Sequence, residues 1–261
     1  MDKWDRYARP AIVTVAALTC LLPRAVSAQT PHKLSIRGHE QVLELYGPPE
    51  GVPVIVSSGD GGWIHLGPHV AEVLAARGFF VVGFDVKAYL SGFTTTQTTL
   101  RPADEPGDYA ILARFAAAST GRKPILIGVS EGAGLSVLAA TDPATKSLVA
   151  GVIGLGLPDL NELGWRWRDV IIYLTHRVPN EPTFRVSRLI AEVAPLPLAL
   201  MQASHDEFVP ATEARRLFER ASPPKQLWIV EASNHRFSDN IAEFDRRLIE
   251  AVNWVRAHGV Q

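Results

Sequence analysis

Cysteine is nearly absent from this 261-residue chain: one stands at Cys20 and none follows it. A disulfide framework is thereby excluded, and so is a structural zinc site built on thiolates. Positive charge is not in excess either. Lysine and arginine number 26 against 27 aspartates and glutamates, a net of −1, where a broad nucleic-acid-binding face would leave a strongly basic footprint. The prolines and glycines are dispersed rather than clustered, so no long disordered tract stands out. Beyond residue 28 no apolar run approaches the ~20 residues that span a bilayer.

The N-terminus carries an address. Lys3, Arg6 and Arg9 precede the apolar run Ala11–Leu22, and Val26-Ser27-Ala28 offers small residues to a signal peptidase. Residues 1–28 are expected to be a cleaved secretory signal, and residues 29–261 one soluble, periplasmic domain. The run is short for a spanning anchor, and Cys20 behind Leu18-Thr19 is poorly placed for lipid attachment. Cleavage would remove four basic and two acidic residues, leaving 22 against 25 and no cysteine.

Past the signal, short strand-like runs alternate with helical ones. Lys33–Arg37 and Val42–Tyr46 predict a hairpin turning at Gly38-His39. Strands are expected at 54–57, 79–84, 125–129, 148–155, 198–202 and 227–230. Helices are expected at 70–77, 109–118, 133–140, around Leu217-Phe218, and at 241–257. This alternation implies an α/β fold, a mainly parallel sheet with helices on both faces. Residues 159–195 break the pattern and predict a helical, lid-like insertion over one end of the sheet. Within it, Trp165-Arg166-Trp167-Arg168 precedes the apolar run 170–174. A lid helix covering the pocket accounts for that pattern, and so does a peripheral contact with lipid headgroups.

Gly128-Val129-Ser130-Glu131-Gly132 matches G-x-S-x-G, a pentapeptide common enough to be weak evidence alone. Here it follows the apolar strand 124–127 and opens a helix, the context in which a nucleophilic serine sits on a sharp turn. A serine hydroxyl needs a base and a group to orient that base. Chain order in this architecture is serine, acid, histidine, each after a later strand. Asp206 follows the strand at 198–202 and His235 the strand at 227–230, so Ser130, Asp206 and His235 form the expected triad, with Glu207 the rival acid. An oxyanion hole needs two backbone N–H groups. One is expected from Glu131 and the other from Asp60 or Gly61, in the loop Ser58-Gly59-Asp60-Gly61-Gly62-Trp63. That loop is no phosphate-binding P-loop, because no Lys-Ser or Lys-Thr follows. His65 and His69 are four apart but enclose Gly67-Pro68, so no metal is expected, and no cofactor.

These segments resemble α/β-hydrolases, and within them the VirJ/AcvB bacterial virulence proteins. The likeness rests on Gly59–Trp63, Leu74-Ala75-Ala76-Arg77-Gly78, Gly83-Phe84-Asp85 through Tyr89, Ile127–Ser130 and Asn234-His235-Arg236-Phe237. Two departures are visible: Tyr89-Leu90-Ser91 stands where the family has Tyr-Phe-Trp, and Glu131 where it has an apolar residue. Trp63 and Tyr89 are expected to line the substrate pocket. The resemblance implies hydrolysis of aminoacyl-phosphatidylglycerol, lysyl-phosphatidylglycerol above all, at the periplasmic membrane face. Asp60 and Glu131 would place two carboxylates near Ser130, suited to a cationic aminoacyl group. A general periplasmic carboxylesterase is the alternative within enzymes. A non-catalytic virulence or secretion accessory protein, binding on a hydrolase scaffold, is the alternative outside them. No nucleic-acid partner is expected, and the sequence names no protein partner.

Overall fold

The computed structural model of the protein describes residues 31–166 and 182–259. The signal segment 1–28 and Trp167, Arg168 and the apolar run 170–174 therefore lie outside the described residues.

Eight strands form one sheet: β1 (His32–Ile36), β2 (His39–Tyr46), β3 (Val52–Ser57), β4 (Phe79–Phe84), β5 (Ile125–Val129), β6 (Gly151–Leu155), β9 (Leu198–Ala203) and β10 (Lys225–Val230). Their order is β1-β2-β4-β3-β5-β6-β9-β10. β1 and β2 pair antiparallel, β2 runs antiparallel to β4, and every later pair is parallel. The hairpin turns at Arg37-Gly38, one residue earlier than expected. Both have positive φ, +48° and +83°, the two-residue geometry whose twist suits a hairpin.

Among the described residues six helices accompany the sheet: α1 (Leu66–Ala75), α2 (Val86–Phe93), α3 (Glu105–Ala117), α4 (Glu131–Thr141), α6 (Ala211–Arg220) and α7 (Ile241–His258), with a single turn α5 (Pro143–Lys146) after α4. α1 starts four residues before the expected Val70, because a proline in a first turn lacks only an N–H that would go unpaired there. α2 was not expected. It begins abruptly at Asp85, whose Oδ1 accepts the Ala88 N–H at 2.9 Å, a side-chain cap.

Two clusters of buried side chains sandwich the sheet. On one face α7 contributes Phe244, Leu248, Val252 and Val255 at helical spacing, beside Val70 and Leu74 of α1. Each such side chain is worth roughly 1.5–3 kcal/mol when removed from water. The opposite face is covered by α3, α4 and α6. α4 is buried from Glu131 to Ala140, which explains why no charge follows Glu131 in it.

The insertion is not purely helical where it is described. β7 (Leu160–Glu162) pairs antiparallel with β8 (Thr183–Arg185), and two short 3-10 turns follow. Asp159 ties its two roots together. Its Oδ1 accepts the Ser187 N–H at 2.8 Å, its Oδ2 meets Arg185 at 2.9 Å, and its carbonyl accepts the Val186 N–H at 2.8 Å. Its own N–H donates to Glu213 of α6 at 2.8 Å.

Candidate active site

The chain leaves β3 for α1 on one face and β5 for α4 on the other. The adjacent ends of β3 and β5 therefore part around a crevice, the place where open α/β sheets bind ligands. A cavity of about 480 Å³ opens there.

Ser130 stands at the tip of β5 with φ +51° and ψ −118°, and its N–H donates to the Leu155 carbonyl at 2.8 Å. A serine in that conformation is strained by roughly 1–3 kcal/mol. The turn is possible because its flanks are bare: a Cβ at Gly128 would overlap Gly132 and Ala133, and one at Gly132 would overlap the Ser57 and Ser58 carbonyls.

His235 Nδ1 lies 2.6 Å from Asp206 Oδ2, with the Asp206 side chain fully buried. Three more donors fix that carboxylate: Gln202 Nε2 to Oδ2 at 2.7 Å, and the Phe208 and Val209 N–H groups to Oδ1 at 2.8 Å each. Burial pushes the Asp206 carboxyl up. The His235 hydrogen bond and charge and the two N–H groups more than offset this and hold it below the usual carboxylate range. Glu207, the rival acid, accepts the His235 backbone N–H at 2.7 Å instead, so it positions the loop and not the ring. The ring's other nitrogen, Nε2, is buried and has no hydrogen-bond partner among the described residues. Ser130 and His235 line the same cavity, though no hydrogen bond joins them; such contacts are often loose until substrate arrives.

The Gly-rich loop reaches over the serine. A Cβ on Gly59 would lie 3.5 Å from that of Ser130, and Asp60, Gly61 and Gly62 line the cavity. The loop is anchored from behind: Ser58 Oγ accepts the Val86 N–H at 3.0 Å, and Asp85 Oδ2 accepts the Trp63 N–H at 3.2 Å. The Glu131 N–H belongs to the first turn of α4, where backbone donors have no partner within the helix. The expected oxyanion residues Asp60, Gly61 and Glu131 thus border the serine.

Trp63 and Tyr89 do not, and the expected substrate contacts are corrected accordingly. The Trp63 ring turns inward, over the bare backbone of Gly83, and its Nε1 donates to the Tyr46 hydroxyl at 3.3 Å. Tyr89 is completely buried; its hydroxyl donates to Asp108 at 2.6 Å, and Arg37 grips the same carboxylate. Both aromatics hold the scaffold, since burying an aromatic ring removes a large apolar area from water.

Glu131 also departs from its expected place. Its carboxyl is buried and accepts the Glu162 N–H of β7 at 2.6 Å. Burial above all, then the charges of Glu162 and Asp60, hold it well above the usual carboxylate range, against the pull of that N–H. Other participants had no motif to announce them. Gln202 acts on Asp206, four residues on, and Asp85 on Trp63, 22 residues back. His65, at φ +56° and ψ −112°, repeats the backbone conformation of Ser130 at the head of α1 and lines the cavity, as Arg236 does. His69 is spent elsewhere, on Asp245 of α7 at 2.6 Å.

Residues 52–162 match the family model described as bacterial virulence protein (VirJ). Among solved structures the chain resembles Est1E from Butyrivibrio proteoclasticus (TM-score 0.65, 14% identity, covering 88% of this chain and 100% of that one). It also resembles a dienelactone hydrolase from Anabaena variabilis (TM-score 0.62, 16% identity, 91% and 100%). A third is a membrane phospholipase A described as a bacterial virulence factor (TM-score 0.63, 14% identity, 89% and 87%). At these identities the likeness shows the fold, which is that of the α/β-hydrolases. No curated protein matches the sequence.

Proposed function

We propose that this chain, an α/β-hydrolase fold whose residues 52–162 match the VirJ family, is a serine hydrolase that cleaves an ester through an acyl-enzyme. The observation that carries the reading is the strained Ser130 in one cavity with a His235 whose Nδ1 is held by Asp206 and whose Nε2 is unspent. In this reading Ser130 Oγ attacks the ester carbonyl while His235 Nε2 takes its proton. N–H groups of Glu131 and of Asp60 or Gly61 receive the negative oxygen. His235 returns the proton to the departing alcohol, and water, deprotonated by the same nitrogen, releases the acid and regenerates Ser130. Asp206 remains ionised throughout and stabilises the imidazolium.

The substrate we favour is an aminoacyl ester of a phospholipid headgroup, aminoacyl-phosphatidylglycerol, reached from the periplasm. Asp60 lines the cavity of Ser130, where its carboxylate suits a cationic aminoacyl group. Export rests on the sequence of residues 1–28. No described helix is long and apolar enough to cross a membrane.

A fluorophosphonate probe on the purified protein, beside Ser130→Ala, tests the nucleophile. Labelling of the unmutated protein alone is expected, followed by amino-acid release from lysyl-phosphatidylglycerol faster than from simple esters. The absence of a Ser130–His235 bond leaves a second reading, a binding role on a hydrolase scaffold. A folded protein that resists the probe, and whose cellular effect survives Ser130→Ala, would establish that role instead.

A further inference from the structure

β2 outruns the strand beside it. Its register with β4 ends at Leu43 opposite Phe84, where the chain leaves the sheet through Asp85 into α2. The inner edge of His39–Val42 is therefore without a strand, and a cavity of about 230 Å³ opens there, lined from α2 by Ala88 and Gly92. Trp63 and the half-exposed Val42 are its large apolar residues.

Gln41 lines this notch and is only 4% exposed, yet its side-chain amide makes no hydrogen bond among the described residues. Its Nε2 lies 3.6 Å from the place where Gly92, on the same wall, would carry a methyl. A buried amide left unpartnered costs about 1–3 kcal/mol, and a bound donor would remove that cost. The charge around it is of one sign. Glu44 and Asp85 line the cavity, and neither pairs with a lysine or arginine among the described residues. The N–H groups of Ala88 and Trp63 fix the Asp85 carboxylate in place. Neighbouring cations are turned elsewhere: Lys33 pairs at 2.8 Å with Glu40, the third carboxylate on the wall, and Arg37 with Asp108. Lys87 Nζ lies 4.5 Å from the Trp165 ring. His39, also on the wall, sets its ring 4.3 Å from that of Phe93.

We infer that this notch binds a small organic ammonium ion, with Glu44 and Asp85 supplying the counter-charge and Gln41 Oε1 accepting an N–H. A metal ion is the poorer fit. Among the described residues no group of three His, Cys, Asp or Glu side chains is placed to hold one, whereas an amide and carboxylates beside apolar residues suit a small organic ligand. The notch shares no lining residue with the cavity of Ser130, so it stands whether or not that serine is a nucleophile. A free amine and the side chain of a lysine share this chemistry.

The test is calorimetric titration of the purified protein with n-butylammonium chloride, beside n-butanol and calcium chloride at matched ionic strength. At pH 8 an alkylamine is charged and an imidazole is ordinarily neutral. Saturable binding of the ammonium ion alone is expected, weakened about tenfold by Glu44→Gln. Gln41→Leu should weaken it as much while melting no lower than the parent, because the substitution removes a buried amide that has nothing to bond. A Gly-Lys-Gly peptide, acetylated and amidated at its ends, is the second arm. Binding at least as tight as that of n-butylammonium assigns a lysine side chain, and weaker binding or none assigns a free amine. No saturable binding in either arm, equal affinity for n-butanol, or undiminished binding by the Glu44→Gln protein overturns the inference. Tighter binding of calcium overturns it too, and makes the notch a metal site.

Discussion

Two histidine–aspartate pairs in this molecule have the same separation and different work. His235–Asp206 and His69–Asp245 both measure 2.6 Å. His69 joins α1 to α7 with its ring against Phe244, and both partners are about a third exposed. Asp206 is buried, held by three further donors, and engages Nδ1, while His235 lines the cavity of Ser130 with its buried Nε2 unspent among the described residues. Hydrogen-bond length therefore does not separate the proposed catalytic pair from a strut. The separation lies in what the second ring nitrogen faces and in how firmly the acid is held.

The sharpest way to break that contrast is to disable each pair in turn. Ser130→Ala or His235→Ala should cost at least about ten-thousand-fold in kcat, and Asp206→Asn about as much by fixing the wrong tautomer, with melting temperature near that of the parent. Gly156→Ala should come next. Gly156 has φ +60°, and a methyl there would overlap Cε1 of the His235 ring; a ring displaced by about 1 Å loses roughly a hundredfold in kcat. A buried acid that belongs to neither pair gives the stability control. Glu105 is fully buried with both oxygens unpartnered, and burial, then Asp108 and Asp142, raise it well above the carboxylate range. The native state therefore holds a proton that the unfolded chain releases, and stability falls as pH rises from the ordinary value toward the raised one. Glu105→Met should remove that slope and add about 2 kcal/mol at pH 8 in urea melts. The smallest effect belongs to the strut: His69→Ala should cost about 1 kcal/mol in stability and leave kcat intact. An equal loss of kcat there would erase the distinction between the pairs.

Much of this was legible in the chain. β4 and β5 lie where the apolar runs put them, and Ser130, Asp206 and His235 follow strands in the order that brings them to one end of the sheet, because a parallel sheet places every strand's C-terminal end on the same edge. The supports were not legible. Gln202 looks like any polar residue in a strand until the chain returns at Asp206, and Glu207 differs from Asp206 only in which part of His235 it meets. Trp63 and Tyr89 were assigned to the pocket because they neighbour its loops. Loop neighbours point either way, and burial against Gly83 and beside Asp108 decided the direction. The break in strand–helix alternation over 159–195 predicts a helical insertion, while its roots form the β7–β8 ribbon through pairings distant in sequence.

Those roots converge on Asp159, so the chain departs and comes back to one carboxylate before rejoining the sheet. Glu131, Thr94 and the buried Leu163 and Phe184 side chains tie the described parts of the same segment to the rest of the domain. Doubling the length of such a closed loop costs only about 0.6 kcal/mol in closure entropy. Under selection, or in the hands of an engineer, the interval between those roots can lengthen at little cost in closure, giving the proposed triad a different clientele.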